Sequence, residues 1–192
     1  MAKTSDPVAN EFHPGGAAVW DDLRVPISST KLNPLQSEPA FEQLGSSGLY
    51  AYAFDTANAD DESLHFVAQL PHGYKEGSDI EAHIHWSPDS TDTGNVVWQL
   101  EYVISNINGA FAFGGVSTLE VTDAADGTQW KHQVTGLGTI PGTGINISAV
   151  IIGRLTRLGT DVADTFTGNA FLHEIDFHYQ MDTMGSREEY IK

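Results

Sequence analysis

Val96-Val97-Trp98-Gln99-Leu100-Glu101-Tyr102-Val103-Ile104 decides the fold class. In an extended chain, Val96, Trp98, Leu100, Tyr102 and Ile104 fall on one side and Val97, Gln99, Glu101 and Val103 on the other. An unbroken apolar side opposite a wetter one marks a half-buried strand of an antiparallel sheet. The same period of two runs through the neighbouring segments. Leu64, Phe66, Ala68 and Leu70 alternate with His65, Val67 and Gln69. Ala82, Ile84 and Trp86 alternate with Glu81, His83 and His85. Further strands are expected at 110–121, 129–135, 145–157 and 170–180, the last with Phe171, His173, Ile175, Phe177 and Tyr179 on one side.

Between these segments lie clusters of Gly, Asn, Asp and Pro, which accept left-handed or fixed backbone angles: 55–63, 71–78, 87–95, 106–109, 123–127 and 136–144. No segment keeps a helical period. About seven to nine short strands at such spacing predict an all-β protein, an antiparallel β-sandwich of jelly-roll type. Five of the eight prolines precede residue 40, at Pro7, Pro14, Pro26, Pro34 and Pro39. Fixed φ and missing donors disfavour helix and sheet interior there. Residues 1–45 are therefore expected to form an extended arm, and 46–192 a single sandwich domain. Trp20 has no use in a free tail, so the arm is expected to dock on its own domain or on a neighbouring subunit.

Twenty-six acidic side chains against nine basic ones give a net charge of −17. Such a chain repels phosphate backbones and anionic lipid headgroups, which excludes nucleic acid and membrane surfaces as expected partners. The few bases, Arg24, Lys31, Lys75, Lys131, Arg154, Arg157 and Arg187 among them, become candidate attachment points. There is no cysteine, so disulfides, thiol nucleophiles and Cys-based zinc sites are excluded. The first residues lack the apolar core of a signal peptide, and a soluble protein made in the cytoplasm is expected.

The densest chemistry is Gly77-Ser78-Asp79-Ile80-Glu81-Ala82-His83-Ile84-His85-Trp86. Two imidazoles at i and i+2 on a strand point the same way, as a metal ion would need. The spacing resembles the first cupin motif, with Asp89 near the place of its glutamate; the second motif's histidine is missing after Pro141-Gly142. No cofactor or metal is expected. The alternative is a cupin-like metalloenzyme using His83, His85 and Asp89, completed by His173 or His178. Loop carboxylates offer a weaker calcium alternative, either Asp89 and Asp92 with Asn95, or Asp55, Asp60, Asp61 and Glu62. No nucleophile elbow, phosphate loop or dinucleotide fingerprint is present, and Gly114-Gly115 and Gly136-Leu137-Gly138 read as turns. His173 reads as a hydrogen-bonded core or interface histidine. Trp86 and Trp98 fall on core positions, whereas Trp20, Arg24 and Trp130 are the interaction candidates.

The stretch from Gln69 to Pro88, with its Pro71-His72-Gly73-Tyr74-Lys75-Glu76-Gly77-Ser78-Asp79-Ile80 turn and His83-Ile84-His85-Trp86 strand, resembles a group of tailed-bacteriophage and prophage proteins. Val97 to Tyr102 and, more weakly, Met184-Gly185-Ser186-Arg187 extend the likeness. The resemblance implies a virion component with a β-sandwich body and no catalytic residues. The first expectation is a capsid decoration, cement or head-fibre-base protein, homotrimeric, bound to the major capsid protein or another virion protein. An acidic surface favours the outside of the shell over the side facing packaged DNA. A tail-fibre glycan-binding module, with exposed aromatic rings as its platform, is a further alternative.

Overall fold

The computed structural model describes residues 19–56 and 60–192. Ten strands follow in chain order: β1 (Val19–Pro26), β2 (Ala40–Gln43), β3 (Tyr50–Phe54), β4 (Glu62–Gln69), β5 (Ile80–Pro88), β6 (Asn95–Ser105), β7 (Ser117–Ala124), β8 (Gln133–Ile140), β9 (Val150–Arg157) and β10 (Ala170–Met181). One 3-10 turn, Ile27–Ser29, is the single helical element among the described residues. The strands form two antiparallel sheets. One runs β2-β3-β10-β5-β8, with β1 also paired to β10; the other runs β4-β9-β6-β7. The expected antiparallel sandwich is the observed architecture.

The inward faces carry the predicted residues. Leu64, Phe66, Ala68, Ala82, Ile84, Trp86, Trp98 and Leu100 all belong to one buried cluster. Trp86 and Trp98 meet edge to face at 6.1 Å, and Phe54 meets Trp98 at 5.2 Å. Aromatic pairs favour this geometry because the positive ring edge meets the negative face. The Trp86 indole N–H donates to Thr135 Oγ1 at 2.7 Å, so a polar ring atom is satisfied at the sheet interface.

Several boundaries differ from the sequence reading. Residues 1–18 of the expected arm lie outside the described residues. Val19–Pro26 does pair, as strand β1, in register from Val19 opposite Met181 to Pro26 opposite Glu174. It runs along an edge, with Pro26 at its last position, where a missing donor costs least. Residues 40–43 likewise join the sheet edge as β2. The segment 110–116 is not strand: its alternation of Phe111 and Phe113 produces stacked rings 5.5 Å apart on a loop. Gly136-Leu137-Gly138 is not a turn but part of β8, which bulges at Leu137 opposite Ala82/His83, with Gly138 at φ +133°. A second bulge, between Leu172 and Glu174 on β10, advances the pleat by one residue. Leu172, Ile175 and Phe177 therefore point into the core, whereas Phe171 belongs to a separate cluster with Ala51 and Ala53. His173 does not share the face of Ile175 and Phe177.

The turn that carries the resemblance is a clamp between loops. Glu76 Oε1 accepts from the Ile147 N–H at 3.0 Å, and Asp79 Oδ1 accepts from the Gly142 N–H at 2.9 Å. The Gly77 N–H donates to Ile145 O at 3.0 Å while the residue sits at φ +80°, a conformation that favours glycine. Tyr74 is fully buried and its hydroxyl donates to Ser78 O. A side chain on Gly142 would place its first carbon 1.7 Å from Ser78 O, so the two loops touch backbone to backbone.

Arg157 is an unexpected core residue. Completely buried at the end of β9, it donates to both oxygens of Asp164 (2.8 and 3.0 Å) and to the carbonyls of Phe54, Phe166 and Gly168. It is therefore no attachment point. The guanidinium's five donors serve all five acceptor contacts at once, more than the three donors of an ammonium could.

Candidate functional site

Because Ala82, Ile84 and Trp86 are taken into the core, β5 presents His83, His85 and Ser87 on the outer face of the six-stranded sheet. On β10, Asp176 lies opposite His83, Glu174 opposite His85 and His178 opposite Glu81. β1 places Asp22 opposite His178 and Arg24 opposite Asp176. β8 places Val134 opposite His85 but Gly136 opposite His83. Asp22, Glu81, His83, His85, Gly136 and His178 line a shallow cavity of about 470 Å³.

Asp176 is at the centre. Its Oδ2 lies 2.9 Å from His85 Nε2 and 3.4 Å from His83 Nε2. The residue is only 3% exposed, and its Oδ1 has no hydrogen-bond partner. Burial pushes this carboxyl above the usual range, Glu174 adds to the effect, and His85 and His83 oppose it. Arg24, its cross-strand neighbour, turns instead to Glu174 Oε2 at 2.7 Å.

Around this centre runs a row of rings. His85 Nδ1 is 2.6 Å from His132 Nε2. His178 Nδ1 is 2.5 Å from Asp22 Oδ1, and Trp20 stacks on the His178 ring at 4.9 Å with the planes 3° apart. His173 Nε2 is 2.9 Å from Ser87 Oγ; its pKa is lowered by burial first and by His132 and His85 second. The three interaction candidates border this face: Trp20 through His178, Arg24 through Glu174, and Trp130, whose ring meets Phe171 edge-on at 5.3 Å.

Asp89 is not part of the site. Its Oδ1 accepts from the Asn169 N–H at 2.9 Å, beyond the end of β5. The loop carboxylates are likewise used as local ties. Asp92 accepts from the Thr167 backbone and hydroxyl at 2.9 and 3.0 Å, which holds its carboxyl below the usual range. Asp61 accepts from Thr160 in the same way. Among the described residues, the one group of three or more ligand atoms close enough to share an ion is His83, His85 and Asp176, all within 4.8 Å of one another. His178 was among the sequence candidates, whereas Asp176 was not; the signal for Asp176 was its i, i+2 spacing from His178 on a strand, concealed by the bulge at His173 and the pairing of β10 with β5.

No family model matches the sequence. A search of curated proteins finds no match. Solved structures do match, at low similarity. The Clostridium thermocellum xylanase 10B CBM22-1–GH10 modules complexed with xylohexaose have 9% identity, TM-score 0.42, and cover 91% of this chain and 29% of that one. Arabinose-bound MgGH51 α-L-arabinofuranosidase has 13% identity, TM-score 0.35, with 81% and 23% covered. The infectious bursal disease virus Gt strain structure has 10% identity, TM-score 0.26, with 77% and 43% covered. The chain thus spans less than half the length of each, and at these scores none of them bears on what it binds or does. No helix among the described residues is long and apolar enough to cross a membrane.

Proposed function

We propose that the protein is a structural component of a bacteriophage virion, attached to the outside of the shell as a decoration, cement or head-fibre-base protein and assembled as a homotrimer. One observation carries the reading: the stretch that resembles phage virion proteins spends its polar side chains on architecture. Glu76 and Asp79 accept from the backbone of the 142–147 loop, and Lys75 reaches Gln180 at 3.2 Å. A motif used to lock loops together is what an assembly module needs, and it holds no activated nucleophile. The acidic surface fits the outer side of a shell rather than the side facing DNA.

Two measurements test this. Particles purified from a lysate should contain the chain in stoichiometric amount, visible as outer density by electron microscopy. In solution, light scattering should return three times the 20.8 kDa chain mass. Absence from purified particles would sink the virion reading, and a monomer that persists at high concentration would sink the trimer.

A further inference from the structure

We propose that His83, His85 and Asp176 form a binding site for a divalent transition metal of the Zn²⁺ class on the outer face of the six-stranded sheet. The site does not depend on the virion reading, since it rests only on side chains that the fold places together.

Geometry is the first argument. Metal–nitrogen and metal–oxygen bonds of about 2.0–2.2 Å in a tetrahedral shell set neighbouring ligand atoms about 3.3 Å apart. The two imidazole-to-carboxylate separations, 2.9 and 3.4 Å, already bracket that value. The third separation, between the two imidazoles, lies within 4.8 Å, so the rings would close toward each other to seat the ion. Two neutral imidazoles and one carboxylate are a donor set suited to Zn²⁺, Ni²⁺ or Fe²⁺, and not to Ca²⁺ or Mg²⁺, which take oxygen ligands.

Asp176 supplies the second, independent argument. Its side chain is 4% exposed and one oxygen has no partner, an arrangement that costs free energy wherever the charge is not balanced. The guanidinium opposite it on β1, Arg24, is engaged by Glu174. An ion at the imidazoles would provide the missing positive charge. Surrounding groups complete the picture. His132 lies within hydrogen-bond reach of His85 Nδ1, so it can accept that N–H and leave the Nε2 lone pair free, the usual outer-shell arrangement for a ligating histidine. Gly136, opposite His83, has nothing within 4 Å of where a side chain would begin. Open space is thereby left above the ligands for a fourth, exchangeable one such as water.

The test uses the full chain purified without a histidine tag, stripped with chelator and titrated calorimetrically with Zn²⁺ alone. One ion per chain is expected, with a rise in melting temperature that follows the metal concentration. Co²⁺ should give visible absorption bands of a low-coordinate site. His83→Gln and Asp176→Asn should each weaken binding more than about 100-fold, and His132→Gln about 10–100-fold through the orientation of His85. His65→Gln and His72→Gln should leave it unchanged. Should Asp176→Asn fail to fold, His83→Gln, on the outer face, gives the same answer. Failure of stripped protein to bind Zn²⁺, or binding undiminished in His83→Gln, would overturn the proposal; neither result would touch the virion reading.

Discussion

Asp164 and Asp176 are both buried carboxylates beside basic side chains, and the fold treats them in opposite ways. Asp164 receives two guanidinium donors of Arg157 and the Val97 N–H at 3.0 Å, so each oxygen is used. Asp176 offers one oxygen to two imidazoles and leaves the other without a partner. The difference is one of completeness. A closed set of partners makes a charge part of the core, whereas an open set leaves it poised for a proton or a cation. Permanent charge explains the division of labour: a guanidinium cannot discharge on burial, while an imidazole can, so only the second kind of partner leaves room for exchange.

The sharpest way to break this comparison is at the closed pair. Arg157→Ala removes five donors, strands Asp164 without water, and frees three carbonyls; a loss of about 3–5 kcal/mol is expected in urea unfolding at neutral pH. A loss below about 1 kcal/mol would mean that water replaces the guanidinium and that the pair is not a core element. Glu76 is a milder member of the closed kind, since it accepts a backbone N–H at the protein surface. Glu76→Ala should cost about 0.5–1.5 kcal/mol and increase hydrogen exchange at the Ile147 amide, which nuclear magnetic resonance can read.

How much of this was legible beforehand follows the same division. Period-two alternation identified β4, β5, β6 and their inward residues, because core burial acts on every second side chain regardless of topology. It also marked His83 and His85 as outward neighbours. Local pattern could not supply the two bulges, which moved Gly136-Leu137-Gly138 into a strand and turned His173 away from Ile175. Nor could it show which strands are adjacent. Asp176 replaces Asp89 beside the histidines because β10 pairs with β5 although about 90 residues separate them, a contact decided by global packing. Arg157 was misread for a similar reason: one base in an acidic chain looks like surface until Asp164 and three carbonyls are seen around it.

At the open carboxylate the expected effect is small and reveals more by its size. Asp176→Asn keeps the shape, removes the buried charge, and faces imidazoles that can be neutral and are 18–22% exposed, so no stranded charge results. Metal-free stability should change by less than about 1 kcal/mol, against the several kcal/mol at Arg157. A loss as large as that at Arg157 would erase the distinction drawn between the two carboxylates.

The smallest effect concerns His173, at the end of the same row of rings. Its folded pKa is depressed below the ordinary 6.5 by burial, with His132 and His85 contributing. The unfolded chain therefore binds more protons than the folded one as pH falls below 6.5, and stability declines over that window until the folded ring titrates as well. His65, similarly depressed, contributes in the same direction. His173→Gln keeps a polar group for Ser87 but cannot titrate. Its unfolding free energy should fall less steeply between pH 7 and 5.5 than that of the parent chain, with the two curves separating only below pH 6.5. An unchanged slope would show that His173 stays solvated enough to titrate normally, and that the polar row draws its character from Asp176 alone.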